Sequence, residues 1–160
     1  MKNSVCVIGI GNILLQDDAV GLYVTETMKE CYGFEPQIDL LDGGTSGLDL
    51  LPVIEGYEKV LFVDAVDAGR PPGAIVLIEG DAIPSFLAVH GSVHHVGLSD
   101  LLFAATMAGS LPAEVCLAGI QPASVDIGLG MTEILKRSLG SLLTTVLERL
   151  QAWGVEPVRL

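Results

Sequence analysis

The chain has 160 residues, half of them apolar and 18% charged, with a formal net charge of −12. That length suits one domain that buries roughly 70% of its unfolded surface, and the hydrophobicity excludes intrinsic disorder. The acidic balance argues against nucleic acid and anionic membranes as partners, because both reward clustered Lys and Arg.

Val5 to Gly11 reads as a buried strand. Lys2 ahead of the apolar stretch Val5 to Leu15 mimics a secretion signal. Gly9, Gly11 and Asn12 interrupt it, Asp17-Asp18 follow, and no small-residue cleavage site appears, so a strand and its loop explain it better. Val20, Val24, Met28 and Cys31 recur at helical spacing, with Gly33 as the expected stop. Ile38 to Asp42 is a second strand, and Leu48 to Glu55 a short helix. Val60 to Val66 is the third strand, and Arg70-Pro71-Pro72-Gly73 turns the chain into a fourth, Ala74 to Glu79. With no helix between them, strands three and four are expected to pair antiparallel, with strand four near an edge.

The uncharged segment Ala82 to Ser99 holds Pro84, three histidines and two glycines, so it is not a membrane span. Leu98, Leu101, Leu102 and Ala105 mark a helix that begins between Ser92 and Ser99. Val115 to Ile120 is the fifth strand. Thr132 is the expected N-cap of a last helix striped by Leu135, Leu139, Leu142, Val146 and Leu150. The fold expected is α/β, a three-layer sandwich of one domain over 1–160. Its twisted five-stranded sheet is mostly parallel, with one antiparallel strand and helices on both faces. Cys6, Cys31 and Cys116 show no Cys-x-x-Cys spacing and read as buried and reduced, in a cytoplasmic protein.

Parallel strands deliver the residues at their carboxyl ends to one crevice, where open α/β sheets bind ligands. Asp18, Asp64 and His94 each follow an apolar run and would meet there. Two carboxylates and an imidazole suit a divalent metal. The plainer reading of Asp17-Asp18 is helix capping, for which one acid suffices. Asp64 continues an apolar strand and carries a desolvation cost unless it finds cations or donors. Asp42, before Gly43-Gly44, reaches the same crevice as an outer support, a general base or a turn former.

Gly9-Ile10-Gly11 invites a dinucleotide reading, but Leu14 stands where the third glycine belongs, so a tight strand exit is the better account. No nucleophile elbow surrounds Ser46, and no His-Glu-x-x-His helix occurs.

Five blocks in order then resemble the nickel–iron hydrogenase maturation endopeptidases: Gly9 to Asp18, Leu41-Asp42-Gly43-Gly44-Thr45, Val63-Asp64-Ala65, His94-His95-Val96-Gly97-Leu98 and Gly119-Ile120-Gln121-Pro122. The resemblance implies a cytoplasmic protease that removes a C-terminal extension from the hydrogenase large-subunit precursor after nickel insertion. It implies Asp18, Asp64 and His94 as metal contacts, the His-x-x-Gly-Leu register choosing His94 over His95, and Asp42 as catalytic help. Nickel would arrive with the precursor, its partner, and zinc or cadmium would bind in vitro; a monomer would suffice. Two other readings stand beside it: a non-proteolytic nickel-binding chaperone, which would use the same three ligands, and a Rossmann-type nucleotide module, which would use Gly9 and Gly11.

Overall fold

The computed structural model describes residues 3–90 and 96–160. Seven strands occur among them: β1 (Val5–Ile10), β2 (Tyr32–Glu35), β3 (Asp39–Gly44), β4 (Lys59–Ala65), β5 (Ile75–Glu79), β6 (Glu114–Ile120) and β7 (Glu156–Arg159). Five form one sheet in the order β3-β1-β4-β6-β5. Its first four members run parallel, and β5 runs antiparallel to β6 at one edge.

Helices α1 (Val20–Cys31) and α5 (Glu133–Ala152) cover one face, while α2 (Leu51–Ile54), α3 (Ala82–His90) and α4 (Val96–Ala108) cover the other. The period of two along β4 explains how one strand feeds both layers. Val60, Phe62 and Val66 pack toward α2, α3 and α4, whereas Leu61, Val63 and Ala65 pack toward α1 and α5. A strand buried on both sides must be apolar where it is buried, and this one is from Val60 until Asp64. The stripe expected on the last helix faces the core, with Leu135, Leu142, Val146 and Leu150 fully buried.

The connection after β1 leads to β3 on one side, and the connection after β3 leads back across to β4 on the other. The carboxyl ends of β1 and β4 therefore flank a topological switch point.

Four expectations need correction. The antiparallel edge strand is present, but β5 pairs with β6 and not with the preceding β4. The link 66–74 can span up to about 30 Å, enough to pass over one strand at roughly 4.8 Å spacing. Main-chain bonds from Val66 to Ile120 and from Gly73 to Gln121 fasten it across the end of β6. Second, Gly33 is not a helix cap: Tyr32 turns extended straight after α1 (φ −136°, ψ 143°), and β2 pairs with β7 in a separate two-stranded sheet. Third, no element is expected between Glu79 and Ser92, yet α3 occupies Ala82–His90. Fourth, Cys6 and Cys116 are buried but Cys31 is only half-buried, all three being free thiols.

Candidate active site

The loop after β1 is built to turn sharply. Gly11 adopts φ +146°, and a Cβ there would lie 2.0 Å from the Asp18 carbonyl oxygen, so no side chain fits. Asn12 donates its N–H to Asp18 Oδ2 at 2.9 Å, and its own Oδ1 accepts the Leu14 N–H at 2.9 Å. A 3-10 turn over Gln16–Ala19 then feeds α1.

The glycines before and after this loop serve helix packing. A Cβ on Gly9 would lie 2.3 Å from the Gly21 carbonyl oxygen, and one on Gly21 only 2.2 Å from that of Val63. The first turn of α1 thus rests directly on the backbone of the sheet. That leaves the Gly-x-Gly pair a packing role, in place of a phosphate cradle.

Asp17 and Asp18 take different parts. Asp17 is completely buried and accepts four hydrogen bonds: from the N–H groups of Ala123 (2.9 Å), Ser124 (3.0 Å) and Thr132 (2.7 Å), and from the Thr132 hydroxyl (2.9 Å). Thr132 does stand at the N-cap position of α5, but its hydroxyl donates to Asp17 and forms no cap bond to the helix. This fastening role is what the sequence reading missed; two adjacent acids offer no signal as to which is structural.

Asp18, 6% exposed, lines a cavity of about 120 Å³. Asp64 lines the same cavity from the end of β4; it is 1% exposed, and its Oδ1 accepts the Ala65 N–H at 2.8 Å. Gly44, Thr45, Gly47 and Gly97 supply backbone walls, with Leu50, Leu98 and Leu101 as an apolar floor. Gly47 and Gly97 approach so closely that a Cβ on Gly97 would sit 3.2 Å from the Gly47 Cα. None of the described lining residues is Lys or Arg. Two buried carboxylates in a small cavity without a basic side chain form a donor set suited to a cation. The volume falls well below the roughly 300 Å³ at which cofactor pockets begin.

The other expected site residues lie differently. His94 and His95 lie outside the described residues, although Gly97, three positions after His94, does line the cavity. Asp42 sits on β3 opposite Gly9, with an exposed side chain, and is not among the lining residues. His90 packs against the Phe86 ring on α3, 4.9 Å between centroids. Among the described residues no group of three His, Cys, Asp or Glu side chains gathers as a metal cage. Away from the cavity, burial pushes the Cys116 thiol up to about 11. Burial, then the hydrogen bond from its hydroxyl to Asp39 Oδ2 (2.6 Å), raises Tyr57 well above the usual phenol range. No helix among the described residues is long and apolar enough to cross a membrane.

Comparison with known proteins extends this picture over the whole fold. The family model for the hydrogenase maturation protease HycI matches residues 22–149. The hydrogenase expression/formation protein HoxM of Cupriavidus necator is 36% identical over 156 residues, covering 96% of this chain and 77% of that protein. The hydrogenase 2 maturation protease of Escherichia coli is 30% identical, covering 96% and 94%. The solved structure of the hydrogenase maturating endopeptidase HybD from E. coli superposes with a TM-score of 0.91 at 31% identity, over 99% of this chain and 98% of that one. A [NiFe] hydrogenase maturation protease from Thermococcus kodakarensis gives 0.76 at 25% identity, over 94% and 99%. With sequence, fold and family model in agreement along nearly its full length, the chain belongs to the hydrogenase maturation proteases, a family of hydrolases.

Proposed function

We propose that this protein removes the C-terminal extension of a nickel–iron hydrogenase large-subunit precursor once nickel has been inserted, acting in the cytoplasm. The observation that carries this reading is the meeting of Asp18 and Asp64. Forty-six positions apart in sequence, both are buried, and both line one small cavity at the switch point of the sheet. Joined by His94, they would offer a nickel ion held by the precursor two carboxylate oxygens and one imidazole nitrogen. That contact fixes the scissile bond beside the site, and proximity alone lowers a barrier by several kcal/mol. Asp42 is assigned the proton acceptor for a bond lying over the end of β3. Its carboxylate is open to solvent and stands two residues before Gly44, which lines the cavity.

The test is to incubate the purified protein with nickel-loaded and nickel-free precursor and to weigh the products by mass spectrometry. Cutting of the loaded form alone is expected. Equal cutting of both overturns the nickel reading, and cutting of neither favours a nickel chaperone.

A further inference from the structure

On the loop between Gly11 and Asp18, and on the segment 127–129 bonded to it, four large apolar side chains stand in solvent: Ile13 (53% exposed), Leu14 (58%), Ile127 (88%) and Leu129 (78%). They belong to two loops more than a hundred residues apart in sequence, yet the loops are stitched into one surface. Leu15 and Gly128 form a parallel bridge, Gly128 donates to the Leu14 carbonyl at 2.8 Å, and Gln16 donates to the Gly128 carbonyl at 3.1 Å. Asp17 donates its own N–H to the Ser124 carbonyl at 3.1 Å, and its buried carboxylate takes the four bonds described above. Gln16 is the one described residue other than glycine with positive φ (+48°), and its side chain lies against Gly128. Backbone held in a sparsely populated region persists only where its surroundings over-determine it, and such positions concentrate at functional sites.

Exposed apolar side chains gain nothing for a free monomer, and a contiguous group of them marks a protein-binding surface. Ile13 and Leu14 lie on the loop between Gly11 and Asp18, both of which line the cavity. Ile127 and Leu129 lie on the segment bonded to that loop, so whatever docks on the four is held against the loop that delivers Asp18. Its rigidity means that little ordering is lost on binding. We propose that Ile13, Leu14, Ile127 and Leu129 form a preorganised docking platform for an uncharged, apolar segment of the hydrogenase precursor adjoining its cleavage point. The identity of that partner rests on the function proposed above. The exposed pair Phe103 and Met107 on α4 is a second apolar feature, but it belongs to neither loop and serves as the control.

The experiment compares wild type with the double variants Ile127→Asp/Leu129→Asp and Phe103→Asp/Met107→Asp. Association with nickel-loaded large-subunit precursor is measured by biolayer interferometry, and cleavage by mass spectrometry. The platform variant should bind at least about tenfold more weakly. Its KM should rise while kcat at saturating precursor and melting temperature hold, and the α4 variant should match wild type. Equal binding by the platform variant and wild type, or an equal loss in the α4 variant, overturns the platform. Wild-type binding without cleavage refutes the proteolytic reading and leaves the platform standing. Cleavage that the platform variant performs with unchanged KM does the reverse. Wild type that neither binds nor cuts the precursor overturns both.

Discussion

Asp17 and Thr132 lie 115 positions apart, and one carboxylate holds both the main-chain N–H (2.7 Å) and the hydroxyl (2.9 Å) of the threonine. The contact joins the loop that carries Asp18 to the start of the last helix. Since Asp17 also takes the Ala123 and Ser124 amides, the geometry of its neighbour Asp18 depends on a residue that does not itself line the cavity.

Replacing Asp17 with alanine leaves up to four donors without their acceptor in a buried place. Hydrogen bonds to charged groups are each worth about 1.5–3 kcal/mol, so a loss of roughly 3 kcal/mol or more is expected. For a chain of this size that lowers the melting temperature by about 6–12 °C. Thermal unfolding followed by circular dichroism measures it; a shift within one or two degrees would contradict the fastening role.

Asp64→Asn keeps the shape of the side chain and removes its charge. Divalent nickel, zinc or cadmium should bind the isolated wild type weakly but measurably by calorimetry, and this variant much more weakly still. The fold should survive, since a neutral amide is cheaper to bury than a carboxylate. Unchanged binding in the combined Asp18, Asp64 and His94 alanine variant would remove the site assignment altogether.

Asp42 and the histidine pair separate by kinetics. Asp42→Asn should leave association with loaded precursor intact and slow cleavage by about a hundredfold or more, the usual scale for a positioned base. His94→Ala should impair processing far more than His95→Ala. Single-turnover assays read both comparisons, and a full-speed Asp42→Asn variant would retire the proton-acceptor role.

Stability should fall on the alkaline side. The folded state holds the Cys116 proton more tightly than the unfolded chain does, because burial raises the thiol to about 11. Stability from this group is complete below the unfolded value of about 8.5–9 and is lost as pH rises through 11. Tyr57 acts in the same direction at still higher pH. Urea unfolding at pH 7, 9 and 10.5 should show the decline, and Cys116→Ala should flatten it.

Gly21→Ala tests the seat of α1. Its Cβ would meet the Val63 carbonyl oxygen at 2.2 Å and that of Ile10 at 2.5 Å, both rigid backbone atoms. Destabilisation above about 4 kcal/mol, or no soluble protein, is expected. NAD and ATP should leave the wild-type melting temperature unchanged, because the backbone of Gly21 and of Asp18 already stands against Gly9 and Gly11, the glycines that would hold a phosphate.

What the sequence discloses depends on periodicity. β4 is legible because burial on both faces leaves the unbroken apolar run Val60-Leu61-Phe62-Val63, and α5 because its stripe repeats over about four turns. The β2–β7 pair is not legible: Tyr32-Gly33-Phe34-Glu35 and Glu156-Pro157-Val158-Arg159 are short, half-exposed and without alternation. The position of β5 escapes too, since pairing β5 with β6 instead of β4 depends on how one loop crosses a strand end. At the site, Asp64 stands out as an acid ending an apolar strand. Asp17 and Asp18 cannot be told apart by position, and only the partners at residues 123–132 distinguish them.

The central placement of β4 has a consequence for heating. It is hydrogen-bonded to β1 on one side and β6 on the other, and covered by helices on both faces. Its amides should exchange with solvent only through global unfolding, as interior strands do. Asp64 therefore has no local route by which to drift out of register as the temperature climbs. Thermal inactivation should coincide with the cooperative melting transition, with no earlier decline as the protein warms.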